Sequence, residues 1–168
     1  MKVVFLDIDG VLQPDTQYRF QHDLDQLKQD HILINPEFET IDKYDLGAVV
    51  HDWVPNSVQL LTQLLEDTGA KIVISSAWRT GKTVRYLQLL FSVYNLDVYV
   101  VGKTPELRYR GDEIAAYLQE NPEIDQYVII DDVAYTLQDR FPHHFVHCER
   151  RFIEENFILA SEILMKLP

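Results

Sequence analysis

The chain has 168 residues, 46% of them apolar, and a formal net charge of −12. That is length and apolar content enough for one domain with a proper core, and no apolar run approaches the roughly 18 residues needed to cross a membrane. Cys148 is the single cysteine, which excludes an internal disulfide and fits a reducing, cytoplasmic setting. The chain enters its first strand at once, without a signal-peptide layout. It contains neither repeats nor low-complexity segments. The charge is unevenly spread: residues 13–52 carry nine acids and three bases, whereas residues 79–110 carry six bases and two acids. The basic stretch suggests an electropositive collar around an anion site, while the acidic remainder disfavours extended duplex nucleic acid as a partner.

Val3-Val4-Phe5-Leu6 reads as a strand buried on both faces, as in a parallel sheet, spanning about 2–7. It ends in Asp7-Ile8-Asp9-Gly10. Ligands bind at the carboxyl edge of open α/β sheets, so these two acids are aimed at one small volume. Two carboxylates about 4 Å apart repel by roughly 4 kcal/mol at an effective dielectric near 20, which calls for a cation or a shared proton. Residues 13–51 are too long for an ordinary βα loop. They read as a cap-like insertion over the carboxyl end of the sheet, a candidate lid, with a weakly patterned helix around 22–30.

A helix follows over 55–67, with Pro55 in its first turn, Gly69 as its C-terminal cap, and Val58, Leu61 and Leu65 facing the sheet. Strand two, 71–75, ends in Ser75-Ser76-Ala77-Trp78-Arg79. A hydroxyl there can donate to a phosphoryl oxygen. A helix over 81–94 buries Val84, Leu87, Leu90 and Phe91, and strand three spans about 97–101. A loop with the bases Lys103, Arg108 and Arg110 leads to a helix at 111–120. Strand four, 127–130, ends in Asp131-Asp132. A short edge strand at 145–148 and an amphipathic helix from Ile153 to Leu167 close the chain. His143, His144 and His147 have no ligand spacing that points to a metal site, and Cys148 reads as a small buried residue.

The alternation of strands and helices gives an α/β three-layer sandwich with a mostly parallel, Rossmann-like sheet. Three strand ends then contribute Asp7 with Asp9, Ser75, and Asp131 with Asp132, and a base arrives from the 103–110 loop. Hard oxygen ligands of this kind suit Mg²⁺ together with a substrate phosphate. Asp7 is placed to attack phosphorus in line, and Asp9 to protonate the leaving oxygen and later activate water. Ser75 and a Lys or Arg would hold the phosphoryl oxygens. Asp131 would complete the metal site, with Asp132 assisting.

Asp7-Ile8-Asp9-Gly10-Val11, the strand ending at Ser75, a later base and Asp131-Asp132 resemble, in order, the four motifs of the haloacid dehalogenase (HAD) superfamily phosphatases. The resemblance implies Mg²⁺ dependence, Asp7 as nucleophile and Asp9 as general acid/base. It also implies a metal held by the Asp7 carboxylate, the Asp9 backbone carbonyl and Asp131. It spans about 1–12 and 53–165. Val73 to Arg79 and Arg110 to Ile114 further resemble the small HAD domains found in RNA-repair proteins. The third motif of the family is a Lys or Arg near the start of the helix before strand four. Arg110 fits that placement, and Lys103 is the alternative. Ser75 and Ser76 are likewise alternatives for the phosphate contact, with Ser75 at the strand end preferred. The 13–51 segment matches no recognised cap.

These readings point to a Mg²⁺-dependent phosphomonoesterase working through an aspartyl phosphate on a phosphorylated small molecule or nucleotide. One alternative is a phosphatase of RNA or DNA ends. Another is a non-enzymatic module that binds metal or phosphate. The oligomeric state is not legible in the sequence.

Overall fold

A computed structural model describes residues 1–166. Five strands form one all-parallel sheet in the order β3-β2-β1-β4-β5, where β1 is Lys2–Leu6, β2 Lys71–Ile74, β3 Val100–Lys103, β4 Gln126–Asp131 and β5 Phe145–His147. Alternate residues of each strand enter opposite faces. Val4, Leu6, Ile72, Ile74, Val128 and Ile130 join the larger core, and Val3, Phe5, Val73 and Ile129 the smaller one. The larger core is closed by α3 (Pro55–Thr68), α4 (Val84–Ser92) and α7 (Glu154–Met165). Ile114 of α5 (Arg110–Glu120) and Leu137 of α6 (Ala134–Arg140) close the smaller. The molecule is therefore a three-layer α/β sandwich of Rossmann-like form.

Local sequence explains several element ends. Pro55 stands in the first turn of α3, and Gly69 ends that helix at φ +69°, a left-handed cap. The Thr83 hydroxyl caps α4 by accepting from the Tyr86 amide at 3.1 Å. The C-terminal helix ends at Met165, and the last residue of the expected helix, Leu167, lies outside the described residues.

The insertion departs most from expectation. It holds two helices, α1 (Leu24–Ile34) and α2 (Lys43–His51), each capped by an aspartate, Asp23 and Asp42. α2 was not expected, because Gly47 and two valines give it poor intrinsic propensity. Tertiary packing reverses that preference. A β-carbon on Gly47 would stand 2.6 Å from Leu24 Cδ2, so the glycine is what lets α1 and α2 approach. Phe38, Ile41, Leu46 and Val49 of the segment, with Trp53 just after it, sink into the larger core, so its second half is anchored to the body of the domain.

Strand three begins three residues later than expected, after a 3₁₀ turn over Asp97–Tyr99, because its register with β2 (Ile72 opposite Val100, Ile74 opposite Lys103) decides where pairing starts. The electropositive collar is also largely neutralised. Lys82 pairs with Asp45 at 2.5 Å, Arg85 with Glu37 at 2.5 Å, Lys103 with Glu106 at 3.6 Å and Arg79 with Glu113 at 2.6 Å. The acids of the insertion thus meet the bases that follow β2. Among the described residues, no helix is long and apolar enough to cross a membrane.

Candidate active site

The strand order changes direction at β1: β2 and β3 lie to one side, β4 and β5 to the other. Such a switch point opens a crevice at the carboxyl ends of the central strands. Asp7 follows β1, and its amide donates to the Ile130 carbonyl at 3.0 Å, while Asp131 ends β4 one residue later. The parallel register, Leu6 opposite Ile130, is what brings acids 124 positions apart in the chain side by side.

Asp7, Asp131 and Asp132 each offer a carboxylate oxygen, all within 4.8 Å of one another. Asp7 and Asp131 are buried, and Asp132 is partly exposed. Burial and the Asp7 charge push the Asp131 carboxyl from its ordinary 3.8 up to about 6. The same two causes raise Asp132. Arg110, at the start of α5, places Nη1 at 2.5 Å from Asp131 Oδ2 and 3.2 Å from Asp7 Oδ2. Three carboxylates against one guanidinium leave an excess of negative charge, which a divalent cation with hard oxygen ligands would balance. The donor set therefore fits Mg²⁺.

Gly10 makes the group possible. It sits at φ +74°, and a β-carbon there would lie 2.4 Å from Asp132 Oδ2 and 2.7 Å from Asp132 Cβ. Asp9 lies outside the three-carboxylate group. Its Oδ1 accepts from the Trp78 indole Nε1 at 3.3 Å. Burial raises the Asp9 carboxyl above its usual range, the Trp78 bond opposes that rise, and the Asp7 charge reinforces it. A carboxyl that holds its proton more firmly beside an acidic cluster has the character of a general acid.

The other candidate residues divide. Ser75, at the end of β2, donates its amide to the Leu6 carbonyl at 3.0 Å, and its buried Oγ has no partner within the protein. Ser76 Oγ is committed to capping the next turn, where it accepts from the Trp78 amide at 3.3 Å. Lys103 is turned elsewhere, donating to the Arg79 carbonyl at 3.2 Å. Cys148 is fully buried, and burial with the neighbouring acids pushes its thiol up, which suits a small core residue. His144 stacks on Tyr127, and His147 contacts the Asp132 carbonyl at 3.0 Å.

Two functional features were missed in the sequence. Arg79 is 4% exposed and donates to the carbonyls of Ser75, Ser76, Thr104 and Pro105 at 2.9–3.1 Å while pairing with Glu113. It pins the loops after β2 and β3 to α5. The second is a cavity of about 740 Å³ beside Asp9, lined by Gly10, residues 13–17, Arg19, Asp132, Glu149 and Arg150. Only the start of the insertion reaches the site.

A family model described as the HAD domain in Swiss Army Knife RNA repair proteins matches residues 3–153. The chain belongs to this family. The match runs from β1 through β5 and so takes in Asp7, Asp9, Ser75, Arg110, Asp131 and Asp132 together. The matched range also includes residues 13–51. HAD membership places the protein among phosphatase-type hydrolases, a family that typically uses a divalent metal, and Asp7, Asp131 and Asp132 form an acidic cluster of the kind that could hold one. Neither the curated proteins nor the solved structures offer a match to the chain.

Proposed function

We propose that the protein is a Mg²⁺-dependent phosphomonoesterase that forms an aspartyl phosphate on Asp7. The observation that carries this reading is the convergence of Asp7, Asp131, Asp132 and Arg110 at the β1/β4 crevice, with Asp9, its carboxyl raised by burial, at its edge. Asp7 and Asp131, assisted by Asp132, would hold the cation, with the Asp9 carbonyl as a further ligand. When bound, the cation offsets the repulsion between these carboxylates and an incoming phosphate.

Asp7 attacks phosphorus in line, and Asp9 gives its proton to the departing alkoxide. Asp9, now a carboxylate, takes a proton from water as that water attacks the aspartyl phosphate. Ser75 Oγ, unpartnered within the protein, is free to donate to a phosphoryl oxygen. Arg110 steadies Asp7 and offers positive charge to the transferred group. Lys103, facing Arg79 and Glu106, supports the loop instead.

The substrate is a phosphate monoester of modest size, a phosphorylated small molecule or a nucleotide, processed in a reducing, cytoplasmic setting. The family description gives weight to a second reading, the terminal phosphate of an RNA strand. The expected result is hydrolysis of p-nitrophenyl phosphate that disappears with EDTA, returns with Mg²⁺ and is absent in Asp7→Asn. Turnover persisting in Asp7→Asn refutes the covalent scheme. Nucleotides set against 5′- and 3′-phosphorylated oligonucleotides separate the two substrate readings.

A further inference from the structure

Trp78 stands in the 3₁₀ turn Ala77–Arg79 that follows β2, and its indole Nε1 donates to Asp9 Oδ1 at 3.3 Å. The aim of the Asp9 carboxyl therefore depends on what holds the indole. Two neighbours do so. Trp53, buried in the larger core, places its ring centroid 6.0 Å from that of Trp78. Lys82 places Nζ over the Trp78 ring, 5.4 Å from the centroid, where the electron-rich face of an indole attracts a cation.

A lysine on its flexible stem would not keep that place unaided. Asp45, in the first turn of α2, fixes it: its Oδ2 accepts from Lys82 Nζ at 2.5 Å and from the Tyr86 hydroxyl at 2.7 Å. The Tyr86 hydroxyl accepts in turn from the Asp42 amide at 3.0 Å, and the Tyr86 ring centroid lies 5.2 Å from the same Nζ. Lys82 and Asp45 are 24% and 25% exposed, so their pair is only partly open to screening. Arg85 and Glu37 form a second bridge between α4 and the insertion, also at 2.5 Å, but their side chains are 53% and 50% exposed. Among the described residues that bridge has no hydrogen bond or cation–π contact with Trp78. One bridge thus leads to the indole beside Asp9, and the other does not.

We propose that Lys82, Asp45 and Tyr86 are positioning residues for the proton donor: α2 holds Lys82 over Trp78, and Trp78 holds the Asp9 carboxyl toward the departing oxygen. None of the three lines the cavity beside Asp9, so they act through the indole and not on the substrate. The proposal rests on the phosphomonoesterase reading and gives the second half of the insertion a task in that reaction.

The test compares phenyl phosphate with p-nitrophenyl phosphate, using the full chain with Mg²⁺. p-Nitrophenolate leaves readily without a proton, whereas phenolate gains from one, so the ratio of kcat/KM for the phenyl ester to that for the p-nitrophenyl ester reports how well the donor is placed. Lys82→Met is expected to lower this ratio about tenfold, part of the roughly 10²–10⁴ that a positioned acid supplies, and Asp45→Ala to lower it in the same direction. Lys82→Arg keeps the cation and its pair, Arg85→Met breaks only the other bridge, and both are expected to keep the ratio. Each variant is assayed below its own unfolding transition. Both esters falling in parallel, a ratio unmoved in Lys82→Met, or an equal loss in Arg85→Met overturns the proposal. If the wild-type chain hydrolyses neither ester, the phosphomonoesterase reading fails, and the positioning is judged on the indole itself. The chain has two tryptophans, so NMR gives two indole N–H signals, which Trp78→Phe assigns. Solvent exchange of the Trp78 N–H, slowed by its bond to Asp9, is expected to quicken in Lys82→Met toward the rate in Asp9→Ala; a rate equal to wild type overturns the positioning.

Discussion

Arg79 gives the sharpest test of how this site is held. Its side chain and that of Glu113 are 4% and 8% exposed and stand 2.6 Å apart. Four backbone carbonyls accept from the same guanidinium. Replacing it in Arg79→Met removes the charge at similar length, leaving Glu113 buried with only the Leu107 amide, at 2.9 Å, to satisfy it. Breaking a buried ion pair from one side costs about 3–5 kcal/mol, a large share of the roughly 5–15 kcal/mol that holds a domain together. In a chain of this size that lowers Tm by on the order of 10 °C. Thermal and urea unfolding measure it. The double variant Arg79→Met/Glu113→Gln recovers about 1–3 kcal/mol of the loss, since no charge is then stranded. Because Arg79 pins the Ser75 and Ser76 carbonyls, turnover falls as well at temperatures where the variant is still folded. A Tm within a degree or two of wild type, or strictly additive single losses, refutes the reasoning.

Gly10→Ala forces a side chain into the left-handed region at a cost of about 1–2 kcal/mol and displaces Asp132, whose Cβ would lie 2.7 Å from the new carbon. Weaker Mg²⁺ binding by calorimetry is expected, and unchanged affinity counts against Asp132 as part of the metal site. Trp78→Phe removes the indole donor that opposes the rise of Asp9, so the Asp9 carboxyl rises further. If Asp9 is the general acid, the alkaline limb of the kcat/KM profile moves to higher pH; a stationary limb assigns it to another group. Asp131 holds its proton more tightly folded, at about 6, than unfolded, near 3.8. In EDTA its contribution to stability is therefore full below about pH 4 and lost as pH rises through about 6. Urea midpoints across that window should fall in wild type and fall less in Asp131→Asn; equal slopes refute the assignment.

By itself the sequence determined the strands, the two aspartate pairs and the chemistry they suit. Val3 to Leu6 and Val128 to Ile130 are buried on both faces of the sheet, and continuous apolar runs of that kind are legible without a structure. The acids are legible for the same reason, because each pair follows directly on such a run. Local pattern could not place α2, whose Gly47 is explained by the approach of Leu24, or the start of β3, which depends on pairing with β2. Nor could it show that Arg79, Lys82 and Arg85 are taken up by Glu113, Asp45 and Glu37. It likewise gave no sign that residues 13–17 and Arg19 line a cavity while Phe38, Ile41, Leu46, Val49 and Trp53 enter the core. Only the tertiary structure decided these points. Each depends on atoms distant in the chain, and burial, counter-charge and close approach are properties of the pair.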